Sequence, residues 1–227
     1  MIISNNFIWI HNPKTAGTSL HNVFLNRHGL DCFRELHATY RDVPIQDREG
    51  KFVFGFMRNP IDQEVSLWKY HADFAWKKES GKPPMAFEEW CRWRYVENED
   101  FATPWLNETQ RTYGHVFNIR PQAGYFCDEN GACKASKIYR FEKLHESLEE
   151  VSERIGLDVR INREEKDCKG MTYGWSRGKD DYSKYVTPYS EKILRKAKAI
   201  DFFLYEQPGD INLNFEYETV PNYAYSR

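Results

Sequence analysis

Lys14, Thr18 and Ser19 bring an ammonium and two hydroxyls into one short turn, Pro13-Lys14-Thr15-Ala16-Gly17-Thr18-Ser19. Those groups suit a phosphate or sulfate. A second set follows later, where Arg58 and Ser66 offer a guanidinium and a hydroxyl to a second anion. The first turn is delivered by a short apolar strand, Phe7 to Ile10. It is followed by an amphipathic helix whose Leu20, Val23 and Phe24 share one face and which Gly29 stops. The first backbone N–H groups of a helix lack internal partners, and the macrodipole favours negative charge there, so strand, loop and helix together form an anion trap. Arg58 stands at the end of an almost unbroken apolar run, Lys51 to Met57, that reads as a strand buried on both faces. Asn59 is a good N-cap and Pro60 suits the first helical position, so Ser66 falls two turns into the next helix.

The first turn differs from the G-x-x-x-x-G-K-[ST] loop of nucleotide triphosphatases. Aligned on Gly17 and Ser19, Asn12 takes the place of the first glycine and Thr18 that of the lysine. The ammonium of Lys14 therefore reaches the anion from the crest of the loop. No acidic strand end stands ready to hold magnesium.

Pro13 to Ser19 resembles the 5′-phosphosulfate loop of sulfotransferases that use 3′-phosphoadenosine 5′-phosphosulfate (PAPS). The segment from Arg58 through Pro60 to Ser66 is similar to that family's 3′-phosphate motif. Gln63 replaces a second arginine found in many relatives, and Trp68 a tyrosine, so 3′-phosphate binding would lean more on Arg58. Two weaker matches follow. Tyr139-Arg140-Phe141-Glu142-Lys143-Leu144 precedes a helical stripe of Leu144, Leu148, Val151 and Ile155 closed by Gly156. Tyr189, Ile193, Ala197 and Ile200 form a stripe that leads into Asp201-Phe202-Phe203-Leu204-Tyr205.

The resemblance implies an α/β fold like that of P-loop nucleotide triphosphatases, with a central parallel sheet flanked by helices and the ligand outside the strands' carboxyl ends. It implies a sulfotransferase domain over residues 1–205 and a tail over 206–227, packed on that domain or trailing from it. It also implies that Lys14, Thr15, Ala16, Gly17, Thr18 and Ser19 hold the 5′-phosphosulfate of PAPS. Arg58 and Ser66 would hold the 3′-phosphate, with adenosine 3′,5′-bisphosphate (PAP) as product. The resemblance also points to the basic, glycine-punctuated stretch Arg163 to Lys184, with Lys166, Lys169, Arg177 and Lys179, as a loop to close over the adenine and 3′-phosphate, a solvated loop being the alternative reading.

Sulfuryl transfer needs an in-line acceptor, charge stabilisation on the leaving group and a base. Lys14 meets the second need. For the third, His37 occupies a position similar to a histidine of carbohydrate sulfotransferases, which implies a general base worth ~10²–10⁴-fold and a sugar hydroxyl as acceptor. Glu35 and His71 are the reserves, and His11 is expected to shape the loop. The less charged sulfuryl group does not require a metal, and none is expected. A nucleotide kinase and a non-catalytic nucleotide-binding protein are the alternatives.

The whole chain sets bounds. Its 227 residues, 41% of them hydrophobic, suffice for one domain with a sizeable core. A net charge of −2 gives no basic footprint for nucleic acid. No apolar run is long enough to span a bilayer, and the N-terminus reads as a strand, so a cytoplasmic protein is expected. Five cysteines, an odd number without metal-ligand spacing, fit reduced thiols. Cys127 and Cys133 nevertheless flank a hairpin turn, Asp128 to Gly131, across which a disulfide is open to them. Residues 71–113 are rich in aromatics. Phe87, Trp90, Cys91 and Arg94 have helical spacing and read as cover for the core, while some rings are left to line an acceptor cleft.

Overall fold

The computed structural model describes residues 1–33, 37–70, 85–97, 121–161 and 181–215. Four short strands, β1 (Ile2–Ile3), β2 (Phe7–Ile10), β3 (Phe52–Met57) and β4 (Lys137–Arg140), form one sheet in the order β1-β2-β3-β4. β2, β3 and β4 run parallel, with Trp9 opposite Phe54 and Phe56 opposite Tyr139. β1 adds an antiparallel edge, so the expected parallel sheet is a mixed one. A hairpin needs only a tight turn, here Ser4 to Asn6, and this is how the N-terminus joins without a crossover helix.

Alternation along the strands divides the core. Phe7, Trp9, Phe54, Phe56 and Tyr139 face one side, where α1 (Gly17–His28) packs with Leu20, Val23 and Phe24. On the same side α4 (Leu144–Ile155) packs with Leu144, Leu148, Val151 and Ile155. Ile8, Ile10, Val53, Met57 and Ile138 face the other side, covered by Tyr40, Val43, Tyr125, Phe126 and Leu204. Ile211 is buried there too, with Leu213 and Phe215 packed alongside. Gly29 and Gly156 end α1 and α4 in the left-handed conformation, at φ 65° and 71°.

A third cluster joins α2 (Pro60–Tyr70), α3 (Phe87–Arg92) and α5 (Pro188–Ala197) through Val65, Leu67, Phe87, Trp90, Cys91, Ile193 and Leu194. Phe87, Trp90, Cys91 and Arg94 are all buried, as their helical spacing predicts. The stripe drawn through Tyr189 needs correction. Lys198 separates α5 from α6 (Ala199–Glu206), and Tyr189 stays 47% exposed while Leu194 is fully buried. No helix among the described residues is long and apolar enough to cross a membrane.

Candidate active site

Both anion motifs leave the carboxyl ends of neighbouring parallel strands. After β2 the chain turns sharply, with Lys14 at φ 64° and Ala16 at φ 62°, the two non-glycine residues with positive φ among those described. Each costs about 1–2 kcal/mol. Left-handed residues alternating with right-handed ones aim successive amides into a shared concavity, the geometry of an anion nest. Ala16 is the N-cap of α1. It supplies no side-chain acceptor, and the first turn contains no acid, so the helix start keeps its positive end for a ligand. Thr18 is exposed, Ser19 is buried, and both lie in that first turn.

Three side chains brace the loop from below. Thr15 Oγ1 donates to Asn12 O at 2.8 Å, and Asn12 Nδ2 donates to Phe56 O of β3 at 2.8 Å. His11 is buried against Gly17 so closely that a Cβ on Gly17 would lie 1.4 Å from His11 Nε2. Gly17 is therefore fixed by close approach, and His11 shapes the loop as expected.

Arg58 follows β3 directly. Gln122 accepts from its N–H at 2.9 Å and donates to its carbonyl at 2.8 Å. Asp201 in turn fixes Gln122 by accepting from the N–H groups of Gln122 and Ala123 at 2.8 and 2.9 Å. Burial pushes the Asp201 carboxyl up to about 6. The Arg58 guanidinium lies 4.7 Å above the Phe141 ring and 5.3 Å from that of Tyr182. Its Nη1 donates to Lys14 O at 3.3 Å, while its buried Nε has no partner among the described residues. Asn59 Oδ1 caps α2 by accepting from Ile61 N and Asp62 N. Ser66 lies half-buried on α2, past its first turn.

The loop and Arg58 thus meet. Lys14 Nζ sits 4.4 Å over the Tyr70 ring. Burial and, secondarily, the Arg58 charge lower its pKa to about 8. Neither cation forms a salt bridge with a described carboxylate. Two neighbouring cations over a nest of amides, with the Asp62 charge acting on Arg58 but in no salt bridge with it, make an arrangement suited to an anion.

Gln63, in the place of a second arginine, is buried beneath the loop. Its Nε2 donates to Pro13 O at 3.0 Å, and its Oε1 accepts from Lys198 Nζ at 2.8 Å. Lys198 also pairs with Glu64 at 2.9 Å, and Glu64 pairs with Arg94 at 3.1 Å. Trp90 Nε1 and Tyr95 OH donate to the same carboxylate. Lys198 and Arg94 overcome the burial penalty and hold the Glu64 pKa down at about 2. Sequence reasoning missed Gln122, Tyr70 and Lys198. Only Tyr70, closing the Arg58 segment, stood near a motif.

His37 returns to the loop: its ring centroid is 4.3 Å from that of His11, and its Nδ1 lies 3.3 Å from His11 O. Glu35, His71, Lys166, Lys169, Arg177 and Lys179 lie outside the described residues. Trp90 is core, and Trp93 and Tyr95 pack against the same cluster. Elsewhere, His21, Asp31 and Cys32 bring one potential metal-ligating atom each within 4.8 Å of one another, with His21 Nε2 paired to Asp31 Oδ1 at 3.1 Å. None of the three belongs to either anion motif.

No curated protein sequence matches the chain. A similar solved structure is the crystal structure of mouse sulfotransferase SULT7A1 complexed with PAP. It shares 12% identity, covers 87% of this chain and 84% of its own, and has a TM-score of 0.44, too distant a likeness to carry weight. The family model described as "Sulfotransferase family" matches residues 2–206. With the match running from the first strand through the last described helix, the chain belongs to the sulfotransferase family.

Proposed function

We propose that this sulfotransferase moves a sulfuryl group from PAPS to a hydroxyl of a carbohydrate by in-line displacement, releasing PAP. The observation that carries the reading is the contact between Arg58 Nη1 and Lys14 O. It supports the reading because it brings the guanidinium after β3 against the lysine turn, the closeness that a nucleotide phosphorylated at both 3′ and 5′ positions requires. Arg58, with Ser66, takes the 3′-phosphate. The amides from Thr15 to Ser19 and the hydroxyls of Thr18 and Ser19 take the 5′-phosphate. The Thr15 hydroxyl, already donating to Asn12 O, steadies the turn.

Lys14 neutralises the charge that builds on the phosphate oxygen as the sulfur–oxygen bond breaks. With a pKa near 8 in the free protein, it is held protonated by the dianionic phosphosulfate group it serves. His37 takes the acceptor's hydroxyl proton. A ring packed on His11, itself wedged against the loop, is a base held at a fixed position relative to the nest.

The test is transfer of labelled sulfuryl from PAPS to a panel of glycans and of phenols in EDTA. Label is expected on glycans, with His37→Ala and Lys14→Ala each reducing turnover at least ~100-fold. Label on phenols alone would overturn the acceptor class. Full activity of His37→Ala across pH would remove it as the base. Transfer from ATP with magnesium, and none from PAPS, would overturn the donor.

A further inference from the structure

Cys127 and Cys133 face each other as an antiparallel bridge. The flanking backbone bonds run from Asp128 N to Ala132 O at 2.9 Å and from Lys134 N to Phe126 O at 2.8 Å. The two cysteines therefore occupy a non-hydrogen-bonded pair, where opposed Cα atoms stand about 4.5 Å apart and both side chains leave the same face. A disulfide spans Cα separations of about 4.4–6.8 Å. Neither residue is in a disulfide: Cys127 is buried, with its Sγ donating to Ala123 O at 3.4 Å, and Cys133 is half-buried.

The register of this pair is held by the turn between them. Asp128 Oδ1 accepts from Asn130 N and Ala132 N, Asp128 O accepts from Gly131 N at 3.1 Å, and Lys134 Nζ pairs with Asp128 Oδ2 at 3.1 Å. Gly131, at φ 85°, supplies the left-handed residue the turn needs. A slip that would separate the sulfurs has to break all of these bonds.

We propose that Cys127 and Cys133 are a dithiol site that a low-molecular-weight disulfide, such as glutathione disulfide, converts to an intrachain cystine. The more accessible Cys133 thiolate attacks one sulfur of the oxidant and expels one thiol. The Cys127 thiolate then attacks the Cys133 sulfur of the mixed disulfide and expels the second. Two protein thiols give up two electrons and two protons, and the oxidant's disulfide bond is reduced to two thiols. Burial pushes the Cys133 thiol up to about 11, so attack accelerates about tenfold per pH unit between pH 7 and 9. The bridge would close the hairpin that follows the Gln122–Phe126 turn, whose Gln122 clamps the Arg58 backbone. The site does not depend on the proposed transfer reaction.

The experiment equilibrates the folded full chain in glutathione redox buffers, quenches with an alkylating agent, and maps the peptides by mass spectrometry. The expected result is loss of two hydrogen masses, a Cys127–Cys133 cross-link, and a melting temperature raised by about 5–10 °C from closing so short a loop. Cys127→Ser should instead trap a glutathione adduct on Cys133. Persistence of both thiols under fully oxidising buffer, or a cross-link to another cysteine, would overturn the proposal. So would a bridge that lowers the melting temperature, because the ladder would then lack the geometry claimed for it.

Discussion

Gly17→Ala adds one methyl group at the first residue of α1. In an ordinary helix the change stabilises by about 0.5–1 kcal/mol, because alanine loses less backbone freedom on folding. Here the opposite sign is expected. The new Cβ would lie 1.4, 1.8 and 2.0 Å from three atoms of the His11 ring. Carbon contacts settle at about 3.5–4.0 Å, so the ring has to retreat by about 2 Å. It has nowhere to go. Trp9, 1% exposed, stacks on one side at 5.2 Å between centroids, and His37 lies 4.3 Å away. Overpacking of this kind costs about 1–3 kcal/mol. Urea unfolding should therefore show a loss of about 2 kcal/mol, a factor of roughly 30 in the folding equilibrium. PAP affinity should fall at least about tenfold as the nest opens. Truncating the obstacle should relieve the clash: the double variant His11→Ala/Gly17→Ala is expected to be at least about 1 kcal/mol more stable than the sum of the single losses. A Gly17→Ala protein as stable as the parent, with PAP affinity intact, would refute the claim that His11 sets the loop.

Lys14 gives opposite pH slopes to binding and to stability. Its pKa is lowered from 10.5 to about 8, so the unfolded chain holds more protons between those values and the free protein gains stability there as pH rises. PAP affinity, which in the proposed function draws on the ammonium, should fall by up to about tenfold per unit above pH 8 in calorimetric titrations, with proton uptake on binding. Glu64→Gln leaves Lys198 and Arg94 buried beside a neutral group and should cost about 3–5 kcal/mol in chemical denaturation. The parent keeps the Glu64 contribution above pH 4.5 and loses it as pH falls through about 2, so the variant's acid unfolding should lack that component. Gln63→Arg, the residue of many relatives, would set a guanidinium against the buried Lys198 ammonium. It should destabilise by at least about 2 kcal/mol in thermal or urea melts and fail to tighten PAP binding.

Much of this site was legible in the chain because its signals are local. Phe7 to Ile10 alternates between the two cores, Asn59-Pro60 starts a helix where capping chemistry says one should start, and Gly29 and Gly156 stop theirs. Other features depend on tertiary proximity. Gln122 reaches Arg58 across 64 positions, and Lys198 reaches Gln63 across 135. No spacing rule connects such pairs. The break at Lys198 was hidden for a related reason: its side chain turns inward to Glu64, ending α5 where the apolar stripe alone would continue. Gln63 looked like a lost charge, yet it ties the Pro13 carbonyl to a buried lysine.

Calorimetry with two ligands, PAP and adenosine 5′-phosphate, on the parent chain and on Arg58→Ala, tests the pairing of the two anion loci most directly. The parent should bind PAP more tightly, in EDTA. The variant should lose most of that preference, at least about tenfold, while its affinity for adenosine 5′-phosphate changes little. Equal losses for both ligands, or an unchanged preference for PAP, would contradict a 3′-phosphate site at Arg58.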